Sequence, residues 1–265
     1  MIHKTTRSIL SVLLAALLLV TSTPLTPAFA GERGAVSLQS ESGESEGLAG
    51  TSTRGDPYQI ATADDLLEFA KLVNGGETTA DAVLTDDIDL NNQPWYPIGR
   101  DSRPYSGTFD GDGHTISGLY IDSSDTDYQG LFGFVDSEGT VQNLSVSGSV
   151  SGSYVGGVVG LNSGSVENCY NTGEVSGNYV GGVVGQNSGS VKNCYNTGEV
   201  SGKISVGSFV GENRNSASVI NCYFLQTANV NKDLRGIGEN VGSGDATATA
   251  KDGTAFHSGE VAWWL

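Results

Sequence analysis

The sequence "YVGGVVGLNSGSVENCYNTGEVSG", residues 154–177, recurs almost unchanged as "YVGGVVGQNSGSVKNCYNTGEVSG" at residues 179–202. The two copies are offset by 25 residues and differ only where Leu161 is replaced by Gln186 and Glu167 by Lys192. A fixed period of about 20–50 residues is typical of solenoids and other repeat proteins. The two copies therefore predict two successive units of one repeat architecture.

The same period extends beyond the two copies. "HTISGL" (114–119) aligns with "GTVQNL" (139–144), "GSVENC" (164–169), "GSVKNC" (189–194) and "ASVINC" (217–222). Each unit has short alternating segments and Gly-rich corners without a helix-forming run, and its leucine pattern is too sparse for a leucine-rich repeat. We therefore predict a mainly β fold, a parallel β-solenoid of about five coils of 25 residues each. The preference of parallel crossovers for one hand makes it right-handed.

Stacked coils place equivalent residues about 4.8 Å apart, so like residues form columns. The alignment predicts one inward column of Ile116, Val141, Val166, Val191 and Val219 and a second of Leu119, Leu144, Cys169, Cys194 and Cys222. It also predicts a corner ladder in which each amide bonds the next, formed by Asn143, Asn168, Asn193 and Asn221. Glu167 and Lys192 should stack as an opposite-charge pair, whereas Leu161 and Gln186 fall in a corner where we expect solvated side chains.

The three cysteines carry little chemistry of their own. An odd count cannot form a closed disulfide framework within one chain, and their spacing lacks the close pairs typical of zinc ligands. Because leucines share their column, we predict buried thiols that act as small apolar side chains. The sequence predicts no metal site and no cofactor.

The first thirty residues have the features of a targeting segment. A short basic stretch containing Lys4 and Arg7 precedes an apolar run from Ile9 to Val20, and Ala28-Phe29-Ala30 has the small-x-small pattern of a cleavage site. The apolar run has 12 residues, too few to span a bilayer and typical of a signal-peptide core. We predict a signal peptide at 1–30, no transmembrane helix in the mature chain, and a secreted or cell-surface location.

Charge narrows the choice of partners. The full chain has a formal net charge of −17, and removal of residues 1–30 leaves 11 basic against 30 acidic side chains, a net charge of −19. Nucleic acids and anionic membranes attract basic surfaces. The sequence therefore argues against nucleic acid as a partner and is compatible with a glycan or an extracellular protein ligand.

Composition divides the rest of the chain. We predict a disordered Ser/Gly/Glu-rich linker at 31–56, an N-terminal α/β cap at 57–106, the solenoid at 107–240, a second linker at 241–253 and a helical segment at 254–265. In the cap, Thr62 and Asp65 form a capping-box pattern. The apolar face of its helix is predicted to contain Leu66, Leu67, Ala70 and Val73, and "NGG" at 74–76 ends it.

The carboxylates form no recognisable catalytic pattern. Asp110 and Asp112 lie in the Gly-flanked turn "FDGDGH", where Asp favours Asx-turns. Asp86, Asp87 and Asp89 lie in "TDDIDL", where alternation places Asp87 and Asp89 on one face. The alternatives are calcium binding or general acid/base catalysis, which need clustered acids. We predict no catalytic residue.

Tyrosines offer the best candidate for a binding surface. Tyr120, Tyr170, Tyr195 and Tyr223 lie beside the second column and should face outward. Aromatic side chains are enriched at binding surfaces, where they could stack on sugar rings. Tyr170, Tyr195 and Tyr223 are therefore our candidate ligand-binding residues. The alternatives are a ladder covered by a loop, or one that only stabilises the sheet.

Several segments resemble a known family. "WYPIG" (95–99), "YSGTFDGDGHTISGL" (105–119), "GLFGFV" (130–135) and the "GGVVG…NSGSVENCYNTGEV" units resemble secreted bacterial surface proteins with GLUG-motif repeats. The resemblance implies an adhesin-like, cell-surface β-solenoid. Some relatives carry an immunoglobulin-A-specific metallopeptidase domain, but this chain has no HExxH motif.

Together these patterns predict a non-catalytic extracellular or cell-surface repeat protein with an adhesin-like or structural role. Two alternatives remain open. One is a polysaccharide-active β-helix lyase or hydrolase, which would need a carboxylate cluster. The other is a truncated remnant of a larger surface protein, suggested by the apolar end "AWWL".

Overall fold

A computed structural model describes residues 47–123, 126–228 and 234–257. The predicted signal peptide and most of the first predicted linker lie outside these residues, as does the greater part of the predicted C-terminal helical segment. The described residues form a parallel β-solenoid of about seven turns, with few helices. The fold class is confirmed.

The elements follow one another in short pieces. In chain order they are β1 (Tyr58–Ile60), α1 (Ala63–Gly75), β2 (Ala82–Leu84), β3 (Ile88–Asp89), β4 (Thr108–Asp110), β5 (Thr115–Asp122), β6 (Phe132–Val135), β7 (Thr140–Gln142), β8 (Ser145–Gly156), β9 (Val159–Asn162), β10 (Ser165–Glu167), β11 (Tyr170–Asn171), β12 (Glu174–Gly181), β13 (Val184–Asn187), β14 (Ser190–Lys192), β15 (Tyr195–Asn196), β16 (Val200–Gly207), β17 (Val210–Asn213), β18 (Ser218–Leu225), a 3-10 turn (Gln226–Ala228), β19 (Ile237–Asn240), β20 (Ala246–Lys251) and α2 (Gly253–His257).

Strands from successive turns pair in parallel on every face. One face has the order β1-β2-β4-β7-β10-β14-β18, extended by β20. A second face pairs β8, β12 and β16, and a separate five-stranded sheet runs β19-β17-β13-β9-β6. The turn count exceeds the predicted five because β1 and β2, which we placed in a cap, and β20, which we placed in a linker, pair into the same sheet as the repeat strands.

The first inward column differs from the prediction at one position. Its successive members in register are Phe109, Val141, Val166, Val191 and Val219. Ile116, the predicted first member, pairs instead with Val146. The reason is length: 32 positions separate Phe109 from Val141, against 25 between Val141 and Val166. The alignment at a constant period therefore slipped in this longer turn.

The second inward column contains Leu144 and the three cysteines, but Leu119 faces Gly148 and lies outside it. All three thiols are buried and free. Burial raises the pKa of the Cys169 and Cys222 thiols, so both stay protonated. The Sγ atom of Cys169 donates to the carbonyl oxygen of Glu167 at 3.2 Å.

The predicted corner ladder of asparagines is confirmed. The amide of Asn168 donates to Asn143 at 2.8 Å, that of Asn193 to Asn168 at 3.2 Å, and that of Asn221 to Asn193 at 3.3 Å. All four residues have φ between 53° and 54°. Asn tolerates this left-handed conformation better than most residues, so it both turns the corner and bonds the next coil.

A second asparagine ladder lies in the interior and was not predicted. The amide of Asn162 donates to Asn187 at 2.9 Å, that of Asn187 to Asn213 at 2.9 Å, and that of Asn213 to Asn240 at 3.1 Å. Asn162, Asn187 and Asn213 are fully buried. The side chains of Asn162 and Asn187 also bond the backbone two residues on, as when Asn187 Oδ1 accepts from the Gly189 N–H.

The corner beside this ladder is also more buried than expected. Leu161 and Gln186, which we expected to be solvated, are buried, as is Glu212 at the next position of the same row. Glu167 and Lys192 are paired in register as predicted. Glu167, however, accepts a hydrogen bond from the Ser165 hydroxyl at 2.8 Å.

Helix α1 covers the first turns of the solenoid. Its predicted capping box is confirmed, because the Thr62 side chain accepts from the Asp65 N–H while the Asp65 carboxylate accepts from the Thr62 N–H. The buried face contains Leu66, Phe69, Ala70 and Val73. Leu67, which we placed there, is 40% exposed, since Phe69 occupies the core position.

The two predicted linkers contain regular structure where they are described. Residues 246–251 form β20, which pairs with β18 because the last turn offers an open edge. Ala49 forms an antiparallel bridge with Gln59, so part of the first predicted linker continues the sheet. Helix α2 begins at Gly253.

Candidate functional site

The predicted tyrosine ladder forms on one face of the solenoid. Tyr170 of β11, Tyr195 of β15 and Tyr223 of β18 are paired in register. The rings of Tyr170 and Tyr195 are stacked with centroids 4.6 Å apart and an angle of 6° between their planes. We call these three residues the tyrosine ladder.

Tyr120 does not belong to this ladder, contrary to our alignment. Its partner in register is Ser149, and the residue that pairs with Tyr170 in the preceding turn is Ser145. The longer turn that displaced Ile116 also displaced Tyr120. Tyr120 lies instead on the edge of a cleft described below.

The tyrosine ladder offers limited ring surface. The stacked faces of Tyr170 and Tyr195 contact each other, and the ring of Phe256 from α2 lies 5.7 Å from that of Tyr195. Lys251 Nζ lies 5.7 Å from the ring centroid of Tyr223. Burial, and then the neighbouring Tyr170, raise the pKa of Tyr195 to about 12. A sugar could therefore reach the ring edges more readily than the ring faces.

A second row of tyrosines lies at a different corner and was not predicted. The ring centroids of Tyr128 and Tyr154 are 5.4 Å apart, and those of Tyr154 and Tyr179 are 4.5 Å apart and nearly parallel. The recurrence of "YVGG" at 154 and 179 is the sequence signal that could have revealed this stack. Tyr128 belongs to the longer turn, where no "YVGG" precedes the strand.

Tyr128 also lines a cleft, which we call the aromatic cleft. Segments 94–101 and 120–123, residues 126–129 and Gly133 enclose a volume of about 760 Å³. Two of its aromatic residues are open to solvent, Tyr96 with 68% and Tyr120 with 37% exposure. The segment "WYPIG" (95–99), which we quoted for its resemblance to a family, contributes to this cleft and was not among the predicted site residues.

Backbone pairing fixes the wall of the aromatic cleft formed by residues 94–99. Pro94 and Ile98 form parallel bridges with Tyr120 and Phe132. The buried Trp95 side chain donates its indole N–H to the Leu131 carbonyl at 3.1 Å. With Trp95 anchored inward, alternation along an extended segment turns Tyr96 outward.

Charged groups surround the aromatic cleft. The lining residues include one arginine, Arg100, and three aspartates, Asp101, Asp122 and Asp127. The Arg100 guanidinium lies 5.9 Å from the centroid of the Tyr96 ring, a cation–π distance. Burial, followed by the charges of Asp127 and Asp101, raises the pKa of Tyr128, which therefore keeps its hydroxyl proton.

In "FDGDGH" the Asp110 carboxylate is part of the scaffold. Asp110 Oδ1 accepts from the Asp112 N–H at 2.9 Å and from the Asn143 amide at 2.9 Å. Asp110 Oδ2 accepts from the Gln142 amide at 2.7 Å. Asp110 thus begins the corner asparagine ladder, one turn before Asn143.

The second acidic group is also used by nearby turns. Asp86 and Asp89 accept from the N–H groups of Asp87 and Asn91, both at 2.8 Å. Asp87 accepts from the Thr115 N–H at 2.8 Å and contacts His114 at 3.2 Å. The hydrogen bond from Thr115, and then His114, lower the pKa of Asp87.

One buried carboxylate lacks a full set of partners. Glu212 Oε1 accepts from Arg214 Nε at 2.9 Å, but Oε2 has no hydrogen-bond partner. Glu212 is 4% exposed. No group of three or more His, Cys, Asp or Glu side chains that could hold a metal ion occurs in residues 47–123, 126–228 and 234–257.

Comparison with known protein families identifies the motif that the repeats contain. The GLUG motif matches residues 151–176 and 176–201. The chain carries GLUG-motif repeats. Both matched segments start on the face where β8, β12 and β16 pair, so each match covers one turn of the solenoid.

Two relatives are similar over less than half of this chain. A protein of Evansella cellulosilytica, provisionally named a Gly-rich membrane protein, is 34% identical over 123 residues, which are 43% of this chain and 14% of that protein. Halomucin of Haloquadratum walsbyi is 38% identical over 133 residues, 44% of this chain and 1% of that protein. The chain therefore spans only a small part of the length of these relatives.

One solved structure is similar in fold. It is a protein of Bacteroides ovatus provisionally assigned as an immunoglobulin A1 protease, with a TM-score of 0.49 and 18% identity, over 81% of this chain and 89% of that one. These comparisons show a repeat protein that carries GLUG motifs. Neither helix in the described parts of the chain has the length and apolar character needed to cross a bilayer.

Proposed function

We propose that this chain is a non-catalytic, adhesin-like module of a secreted or cell-surface protein and that it binds a glycan or an extracellular protein ligand. One observation carries the proposal. In both candidate acidic groups, the carboxylates of Asp86, Asp87, Asp89 and Asp110 accept hydrogen bonds from the chain's own turns and ladders. Side chains used in this way stabilise corners and are poorly placed to act on a substrate.

The repeats, the relatives and the net charge support the same proposal. The GLUG motifs and the relatives indicate a surface-type repeat protein. The net charge of −17 keeps such a protein soluble and argues against nucleic acid as its partner. A solenoid that buries a continuous core behind exposed faces can present binding groups along its length.

The alternative is a polysaccharide-active enzyme, and Glu212 is the residue that would favour it. A buried carboxylate with an unpartnered oxygen calls for an explanation, and a catalytic role is one. Hydrolysis of a glycosidic bond, however, uses two carboxyl groups about 5–10 Å apart across the bond. Glu212 is paired with Arg214 and is almost completely buried.

The test compares retention with cleavage. The purified chain is incubated with a panel of insoluble glycans and mucins, with and without calcium, and both the protein retained and the reducing ends released are measured. We expect retention without release of new ends. Glu212→Gln should leave retention unchanged, because the side chain it alters is buried.

Two results would contradict the proposal. Release of new ends that disappears in Glu212→Gln would identify an enzyme with Glu212 in its site. Release that persists in that variant and is lost in Asp110→Asn would identify an enzyme with Asp110 of the "FDGDGH" turn in its site. Absence of retention on every glycan would exclude the glycan-binding form of the proposal and leave a protein ligand.

A further inference from the structure

We infer that the aromatic cleft binds an uncharged oligosaccharide, with the rings of Tyr96 and Tyr120 lying against the apolar faces of its sugar units. The inference rests on the proposed function and moves its binding surface away from the predicted tyrosine ladder. The ligand class follows from the aromatic surface, the rigidity and the charge of the cleft, considered in turn.

Aromatic ring surface is available in the cleft and scarce in the ladder. Tyr96 is 68% exposed and Tyr120 37% exposed, whereas the faces of Tyr170 and Tyr195 are stacked on each other. A pyranose ring has one face rich in C–H groups, which packs on the face of an aromatic ring and removes apolar area from water. This contact needs one exposed ring face, and because Arg100 lies over one face of the Tyr96 ring, a sugar would pack on the opposite face.

The cleft is held in place before any ligand arrives. The Trp95 N–H donates to the Tyr120 carbonyl at 2.9 Å, so the chain segments that carry Tyr96 and Tyr120 are joined by a backbone hydrogen bond. Gly99 N donates to Asn74 Oδ1 at 3.1 Å, which ties the same wall to helix α1. A preorganised site loses little conformational entropy on binding.

The polar groups of the cleft suit hydroxyl groups. Carboxylates accept hydrogen bonds from sugar hydroxyls, and Asp101 and Asp127 are exposed at the edge of the cleft. Arg100 and the protonated hydroxyl of Tyr128 supply donors. The volume of about 760 Å³ falls within the range of about 300–1,000 Å³ that is typical of small-molecule sites.

The negative charge of the cleft lining favours uncharged sugars over acidic ones. Three aspartates against one arginine give the lining a net negative charge, and the whole chain adds to it. An acidic sugar such as a uronate would be repelled, and like charges brought together at an interface are strongly unfavourable. An uncharged oligosaccharide has hydroxyl groups for these carboxylates and no charge of its own.

The experiment is calorimetric titration of the purified full chain with cellohexaose, hexa-N-acetylchitohexaose and, as the acidic counterpart, hexagalacturonic acid. We expect at least one uncharged hexasaccharide to bind and hexagalacturonic acid to bind at least tenfold more weakly. Tyr96→Ala and Tyr120→Ala should each weaken binding about tenfold, in the range expected for loss of an aromatic contact. Tyr96→Phe, which keeps the ring, should stay within about twofold.

A matched control comes from the tyrosine ladder. Tyr223→Ala removes the same side chain from another surface and should leave affinity unchanged. Because Tyr96 is mostly exposed, its variants should unfold at the wild-type temperature, and circular dichroism checks this. The phenylalanine variant distinguishes loss of the ring from loss of the hydroxyl.

The outcomes separate this inference from the proposed function. Retention on insoluble glycans that is unaffected by Tyr96→Ala and Tyr120→Ala, or lost in Tyr223→Ala alone, would overturn the cleft as the site while the adhesin-like role stood. Equal or tighter binding of hexagalacturonic acid would overturn the ligand class. Retention without binding of any hexasaccharide would also overturn the inference, whereas a chain that neither binds nor is retained would contradict the glycan-binding function itself.

Discussion

The two near-identical turns and the longer turn before them have the same architecture and different surfaces. In residues 154–202, strands β9 and β13 pair without irregularity, and the interior asparagines bond from coil to coil. Between Phe109 and Val141 the turn is seven residues longer than the next one, and part of the added length lies between Ile121 and Gln129. One wall of the aromatic cleft lies there, and residues 94–101 of the preceding turn form the other. Repetition thus maintains the ladder, and departure from it creates a recess.

This contrast suggests where function and stability lie. Residues that recur at 25-residue intervals contact their own equivalents, so each is constrained by the coils above and below it. Residues that line the cleft, such as Tyr120 of the longer turn and Tyr96 of the turn before it, contact non-equivalent neighbours and solvent. We therefore expect substitutions inside the repeats to lower mainly the stability of the fold, and substitutions in the cleft to weaken mainly the binding of a ligand.

The largest effect should come from a repeated glycine. Gly181 lies where the chain turns between two faces, and a Cβ atom added there would lie 2.0 Å from the Val184 carbonyl oxygen and 2.5 Å from the Gly211 nitrogen. Both contacts are with backbone atoms, which cannot move aside without disturbing the ladder. Gly181→Ala should lower the free energy of unfolding by about 3 kcal/mol or more, measured by denaturant titration.

The control for this variant is another glycine. Gly55 has no atom within 4 Å of an added Cβ and lies outside the repeats. Gly55→Ala should change the free energy of unfolding by less than about 0.5 kcal/mol. Equal losses in the two variants would mean that the corner glycines are not special and would weaken the comparison.

A smaller effect should separate the two asparagine ladders. Asn187 is fully buried, and Asn187→Ala would leave the Gly189 N–H without its acceptor. It would also remove the shortest hydrogen bond of the Asn162 amide, at 2.9 Å, and leave those to the Gly164 and Ser190 carbonyls. We expect a loss of about 2–3 kcal/mol in the free energy of unfolding, since unsatisfied buried polar groups cost about 1–3 kcal/mol each.

The corner ladder supplies the comparison for Asn187. Asn193 is partly exposed and has φ of 54°, a conformation that glycine adopts without strain. Asn193→Gly should therefore cost no more than about 1 kcal/mol, because water can replace the lost amide bond. A corner variant as destabilising as Asn187→Ala would show that the two ladders contribute equally.

The sequence predicted the parts of the fold that depend on period and local chemistry. The parallel solenoid, the corner asparagines and the Thr62–Asp65 capping box follow from spacing and residue type, and all three are confirmed. Ile116, Leu119 and Tyr120 were assigned to the wrong columns because an alignment at a constant period cannot locate extra residues in one turn. Locating them requires the pairing of β4 with β7, a contact that is not local in sequence.

The predictions for the interior were wrong for a different reason. Leu161, Gln186 and Asn187 lie in a Gly/Asn-rich segment that is typical of exposed turns, yet all three are buried. Asparagine becomes acceptable in the interior only when its amide can bond the equivalent residue of the next coil, and that depends on exact register. The aromatic cleft depends on the bridges from residues 94–98 to the next turn, and those residues belong to no repeat.

The smallest effect should appear at alkaline pH and concerns the predicted tyrosine ladder. The pKa of Tyr195 is about 12 in the folded chain, and tyrosines of an unfolded chain lose their protons near pH 10. Between these values the folded state retains a proton that the unfolded state has released, so the free energy of unfolding decreases as the pH rises. The stability associated with this side chain is thus fully present below about pH 10 and is lost towards pH 12.

Replacement of the ring hydroxyl tests this relation directly. Between about pH 10 and 12, the free energy of unfolding of Tyr195→Phe should fall less steeply than that of the wild-type chain. Circular dichroism at a fixed denaturant concentration measures the difference. Some pH dependence should remain, because burial also raises the pKa of Tyr105, whose hydroxyl donates to the Ala80 carbonyl. Tyr96→Phe, at an exposed ring in the cleft, is the matched control and should follow the wild-type curve. An unchanged curve for Tyr195→Phe would mean that the ladder is open to water, and its ring faces would again compete with the aromatic cleft as the binding surface.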